Sequence, residues 1–206
     1  MLRFGIVGYI NMLGKTNKNK KTNRVIMIKN FFGHLKNILV HKWWVFYYCC
    51  KLGIPWQGIT HDLSKFSYTE FSESIKFYKG NSSPIPEAKR IQGYSLAWQH
   101  HKGRNPHHYE YWTDNYDNGI TCIKMPYNYV LELVADYIAA GKTYNGKNFS
   151  LKQELEWWEN CKDGKMINES TKSLITNIFR VLNEENGFKT LRAISHDFST
   201  YDYVAS

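Results

Sequence analysis

Two hexapeptides in this 206-residue chain read almost alike: Ile59–Ser64 (ITHDLS) and Ile194–Ser199 (ISHDFS). Adjacent His and Asp side chains can turn toward one divalent cation, since imidazoles and carboxylates are standard ligands for first-row metals. Histidine is also concentrated. Seven of the eight lie between residues 34 and 108, and four of those are His100, His101, His107 and His108. His34 and His41 are seven apart, so a helix puts both on one face. Asp136 sits inside the apolar run Leu133–Ile138. A buried, unpaired carboxylate is costly there, so a metal or a basic partner is expected.

The elements that must position these residues read as helices. Apolar residues recur at helical spacing from Ile28 to Leu52, and Gly53 and Pro55 end that run. Ser67–Glu70 has capping-box form and opens a helix to about Tyr78. A helix from about Pro86 to Gly103 follows, and residues 103–125 then read as one long ordered loop rich in aromatics. Pro126 starts a helix that Gly141 closes, Ser150–Gln153 is a second capping box, Asn168 caps a helix to Leu182, and a short helix runs from Phe188. The expected fold class is therefore all-α, a bundle of six or more helices.

The formal charge of +9 invites a polyanion-binding reading, but its distribution is uneven. Residues 1–30 hold seven Lys or Arg and no acid, which leaves about +2 on the rest. Residues 1–26 are expected to be a solvated basic extension without fixed structure, with Met27 as an alternative start; the alternative is an arm that contacts a polyanion or membrane surface. Residues 27–206 form the helical domain. Cys49, Cys50, Cys122 and Cys161 make no CxxC pair. That points to a reducing, cytoplasmic setting, and no apolar run reaches the length of a membrane span.

The order His41, His61-Asp62, His100, Asp136 resembles the HD superfamily of metal-dependent phosphohydrolases, an α-helical family. Its members bind metal through a His on the first helix, an adjacent His-Asp pair and a later Asp. His61-Asp62-Leu63-Ser64-Lys65 resembles the HD-x-x-Lys form of its phosphodiesterase members. Gln99–Arg104 followed by Leu133–Tyr137 resembles the extra blocks of a binuclear branch that hydrolyses dinucleoside polyphosphates, and alignment on Gly103-Arg104 favours His100 over His101. The chain from about Met27 to Asn148 also resembles a family of small bacterial and phage proteins, through HDLSKFS, AWQHHKGRN, HHYEYW and MPYNYVLELVADYIAAGK. These likenesses select the first hexapeptide as the site, because His196-Asp197 lies beyond the other ligands.

The resemblance implies one or two divalent ions (Mn, Fe, Co, Ni, Zn or Mg) held by His41, His61, Asp62, His100 and Asp136, with His108 for a second ion and His34 in reserve. Asp62 is the natural bridge, since a carboxylate has two oxygens. Metal-bound water then serves as nucleophile. Lys65 and Arg104 would hold phosphoryl oxygens, His101 and His107 would donate a proton to the leaving group, and Tyr109 and Trp112 would stack a nucleobase. The function expected is a phosphohydrolase acting on a nucleotide or another small phosphorylated molecule. The alternatives are an HD-type di-iron oxygenase and a non-catalytic nucleotide-binding protein.

Overall fold

The computed structural model describes the backbone of residues 3–80, 82–117 and 119–198, and the side chains of 22–80, 82–115, 117 and 119–194. The side chains of the His196-Asp197 pair and of most of the basic extension lie outside the described residues.

Helix after helix starts where a side chain can satisfy a free backbone N–H. Helix α1 spans Arg3–Leu52 and α2 spans Pro55–Thr60, with Pro55 in the first turn, where a missing N–H costs nothing. Helix α3 (Tyr68–Phe77) is capped by Ser67, whose hydroxyl accepts from the Glu70 N–H. Helices α4 (Pro84–Gln92) and α5 (Leu96–Lys102) are capped by Ser83 and Ser95. Helix α6 runs Tyr127–Asn145, α7 Leu151–Cys161, α8 Glu169–Leu182 and α9 Gly187–Phe198. Ser150 caps α7 and Asn168 caps α8.

The protein is an all-α bundle, as the periodicity predicts, with four local differences. Helix α1 begins at Arg3, so the backbone of residues 3–26 is helical where an extension without fixed structure is expected, and α6 runs through Gly141 to Asn145. The helix expected over residues 86–103 is broken in two, because Gly93 adopts φ +83° and closes α4. Residues 103–125 are not simple loop: a 3₁₀ turn at Tyr109–Trp112 leads into an antiparallel hairpin, β1 (Thr113–Tyr116) and β2 (Gly119–Cys122), with Thr113 opposite Cys122.

Helix α6 is the central element. Val130, Leu131, Leu133, Val134, Ala135, Ile138 and Ala139 are all fully buried, packed with Val45, Cys49 and Leu52 of α1 and with Trp158, Ile175 and Phe179 of α7 and α8. The buried Trp158 indole N–H finds a partner in the Thr176 hydroxyl at 2.9 Å. Helix α2 lies against α1 at Gly58, where an added Cβ would fall 2.8 Å from the Phe46 Cα. Only a residue without a side chain permits that approach. It fixes where α2 ends, and so where His61 and Asp62 begin.

Candidate metal centre

The turn after α2 delivers Asp62 into the bundle. Asp62 holds φ +54° and ψ +29°, left-handed space that a non-glycine residue enters only at a cost. Lys42 of α1 helps to fix this turn. Its ammonium donates to the carbonyls of Ile59 (2.8 Å) and His61 (2.7 Å), as a cation at a helix C-terminus should. The 3₁₀ turn Leu63–Phe66 follows and carries Lys65.

Around Asp62 the structure gathers imidazoles from distant elements. Its Oδ2 lies 3.1 Å from His61 Nε2 and 3.9 Å from His41 Nε2, on α1. Its Oδ1 lies 3.3 Å from His101 Nε2, on α5, and 3.4 Å from His107 Nε2. Asp136 Oδ1, on α6, lies 2.9 Å from His41 Nε2 and 3.6 Å from His61 Nε2. Two groups of donor atoms result, each within 4.8 Å of one another: His41, His61, Asp62 and Asp136; and Asp62, His101, His107 and His108. Asp62 belongs to both, one oxygen facing each.

These atoms are close but do not satisfy one another. His41 Nε2, His61 Nε2, His107 Nε2, His108 Nε2 and Asp62 Oδ1 are buried without a hydrogen-bond partner, while Asp62 Oδ2 has an ion-pair partner in Lys65. Buried polar atoms in folded proteins are nearly always paired. Nitrogen and oxygen lone pairs that converge at short range, misaligned for hydrogen bonds, fit the needs of a cation. The donor set of imidazoles and carboxylates suits a first-row divalent ion.

An outer ring of acids sets the tautomers. Glu132 Oε1 accepts from His61 Nδ1 at 2.9 Å and from His107 Nδ1 at 3.0 Å. Each ring therefore donates from Nδ1 and turns its Nε2 inward, as metal-binding histidines do. His61, His107 and Glu132 also lie close enough to form a third cluster, but the hydrogen-bonded Nδ1 atoms make Glu132 an orienting group. Glu70 acts likewise on α5, accepting from His100 Nδ1 at 2.6 Å and His101 Nδ1 at 2.8 Å. One turn on, Glu73 accepts from the Ser95 hydroxyl (2.6 Å) and the Leu96 N–H (3.0 Å), pinning the start of α5. Asn105 and Ser64 close the ring around His101.

The electrostatics follow from burial and opposed charge. Burial pushes the Asp62 carboxyl up, but His61, Lys65 and His101 prevail and hold it well below the usual carboxylate range. Burial likewise opposes ionisation of Asp136, and the His41 and His61 imidazoles beside it outweigh that. His61 is pushed the other way: burial lowers it, yet Asp62, Asp136 and Glu132 raise it well above its ordinary value. His108 is held well below by burial and by His107 and His101. Lys65 Nζ stands 2.6 Å from Asp62 Oδ2 and is about a quarter exposed, so it marks the edge of the centre.

The structure brings together His41, His61, Asp62, His108 and Asp136. It corrects the choice between His100 and His101. His101 faces Asp62, whereas the described contact of His100 is outward, to Glu70. His101 and His107, expected as proton donors, stand instead among the groups that could hold a metal, with their Nδ1 protons committed to Glu70 and Glu132. His34 does not join the cluster; it packs between Phe71 and Tyr78. Arg104 is exposed and forms no ion pair among the described residues. Tyr109 and Trp112 lean on the core, the Trp112 indole donating to the Pro106 carbonyl at 2.6 Å.

Sequence reasoning missed Glu132, Glu70 and Glu73. Glu132 had a signal: it precedes Asp136 by four on an otherwise apolar helix, so both acids share its face. Glu70 was hidden by its place in a capping box. A separate concavity of about 770 Å³ between α6, α8 and α9, lined by Leu174, Ile178, Val181 and Leu191, contains none of these residues.

The chain belongs to a family of unknown function, DUF5662, whose model matches residues 30–181. No curated protein and no solved structure matches it.

Proposed function

We propose that this protein is a metal-dependent phosphohydrolase acting on a nucleotide or another small phosphorylated molecule. One observation carries the reading: buried Nε2 and carboxylate atoms, four of the Nε2 atoms without a hydrogen-bond partner, divide into two sets about the two oxygens of Asp62. His41, His61, Asp62 and Asp136 would hold one divalent ion, and Asp62, His101, His107 and His108 the other. Such a pair supplies a nucleophilic hydroxide at neutral pH and polarises the phosphoryl oxygens.

The chain's own residues have separable tasks. Glu132 and Glu70 hold the Nδ1 protons of the ligand imidazoles and aim their Nε2 atoms inward. Lys42 and Gly58 hold the turn that presents Asp62. Lys65, partly exposed beside Asp62, is the fixed cation best placed to meet charge on a phosphoryl group.

The test is metal analysis of the purified chain, then a phosphate-release screen of nucleotides with Mn²⁺, Co²⁺, Ni²⁺, Zn²⁺, Fe²⁺ or Mg²⁺. The expected result is two ions per chain and turnover of at least one substrate. Asp62→Asn, which tolerates left-handed backbone, should lose both properties, and His196→Ala neither. A folded parent chain that takes up no divalent ion overturns the proposal. So does iron uptake with oxygen consumption in place of phosphate release.

A further inference from the structure

Helix α1 is apolar on two opposite sides. The inner face carries His34, Ile38, His41, Val45 and Leu52, all buried. Taking 3.6 residues per turn, Val25, Ile28, Phe32, Leu39 and Trp43 fall within roughly 40° of one another's mean direction, on the side opposite His41. Each of these five is at least half exposed, Phe32 at 63% and Trp43 at 62%. Nothing in the bundle covers them among the described residues. The stripe is about 27 Å long at 1.5 Å per residue. Trp56 and Ile59 of α2, also exposed, extend it sideways, since Lys42 joins α1 to the Ile59 carbonyl.

The charge around this stripe has one sign. Residues 1–61 contain ten Lys or Arg and no acid. Arg24, Lys29 and Lys36 are exposed along the flanks of the stripe. We propose that the outward face of α1 docks the protein on an anionic membrane surface, its apolar residues entering the interface and its cations meeting lipid phosphates. A large apolar face flanked by Lys and Arg is the pattern of a helix that lies in the interface plane. No described helix is long and apolar enough to cross a membrane, which leaves the in-plane arrangement. Pairing this face with its own copy would set like charges against each other. A nucleic-acid surface offers phosphates but no apolar partner for Val25, Ile28, Leu39 and Trp43. His41 points away from the docked face, and the docking does not depend on what the His–Asp cluster does.

The experiment is co-sedimentation of the full chain with phosphatidylcholine vesicles, with and without a third of phosphatidylglycerol. The expected result is binding to the anionic vesicles only, weakened by salt. Lys29→Gln with Lys36→Gln should lower partitioning about 25-fold, from roughly fivefold per cation. Phe32→Gln with Trp43→Gln, both at exposed positions, should lower it at least tenfold without altering the melting curve. Equal binding to neutral vesicles, or binding indifferent to Phe32 and Trp43, overturns the proposal. It is also overturned by a dimer that the Phe32 and Trp43 changes dissociate, or by binding to duplex DNA in place of vesicles.

Discussion

Replacing Glu132 by Gln tests the centre through a residue that stands outside the two donor groups sharing Asp62. The carboxylate accepts two hydrogen bonds through one oxygen, from His61 Nδ1 and His107 Nδ1, at 2.9 and 3.0 Å. A glutamine has nearly the same shape but only one accepting end. Its oxygen, in the place of Oε1, can still accept from both rings but without the carboxylate's charge; its NH₂, in that place, faces both, and a ring must then accept at Nδ1 and carry its proton on Nε2. That proton points at Asp62, where a lone pair is needed. Loss of one orienting partner costs about 10–100-fold in metal affinity. Because one residue serves a ligand in each group, the upper end applies: about 100-fold, or roughly 2.7 kcal/mol. The assay is competition with a chromophoric chelator for Zn²⁺ or Mn²⁺. Glu87→Gln serves as a control that removes one surface charge, since Glu87 pairs with Arg90 on α4. Glu132→Gln affinity within threefold of the parent, with a native circular dichroism spectrum, refutes the tautomer argument.

Three further outcomes are expected. His101→Gln should lower metal affinity at least tenfold more than His100→Gln in the same titration, since His101 faces Asp62; equal losses contradict the assignment. Burial and the Lys65 charge lower the His34 pKa to about 4. Its stabilising contribution is therefore full above pH 6.5 and is lost as pH falls toward 4, on the order of 3 kcal/mol. Urea melts of His34→Gln should show that much less acid sensitivity across this window. Glu154 is shifted the other way, to about 7, by burial and by Asp136. The native state favours its protonated form, so stability is lost as pH rises from 4.5 through 7. Glu154→Gln should raise the Tm by a few degrees at pH 8 and leave it unchanged at pH 4.

Much of the helical framework could be read from capping residues and periodicity, because Ser67, Ser150 and Asn168 act locally. The break at Gly93 was hidden because apolar spacing continues on both sides of it. The hairpin at 113–122 is mostly exposed, so it lacks the in–out alternation that marks a half-buried strand. Within the site, His41, His61, Asp62 and Asp136 were legible because their order resembles a known ligand pattern. His100 and His101 were not separable, since adjacent helix residues differ only in direction. Here direction is decided by Glu70 and Asn105, which are 31 residues before and 4 residues after His101. Glu132 requires knowing which face of α6 meets two loops, a tertiary fact.

The groups around Asp62 come from α1, the turn after α2, α5, the segment behind it and α6, spread over nearly a hundred positions of the chain. During synthesis the amino-terminal pieces emerge with their inward atoms unanswered, since Glu132 and Asp136 arrive last. The apolar packing that shelters them also belongs to α6. The first half of the bundle thus has neither a core nor a balanced interior before that helix docks. Folding is expected as one late, concerted event, with no stable intermediate that ends ahead of residue 136.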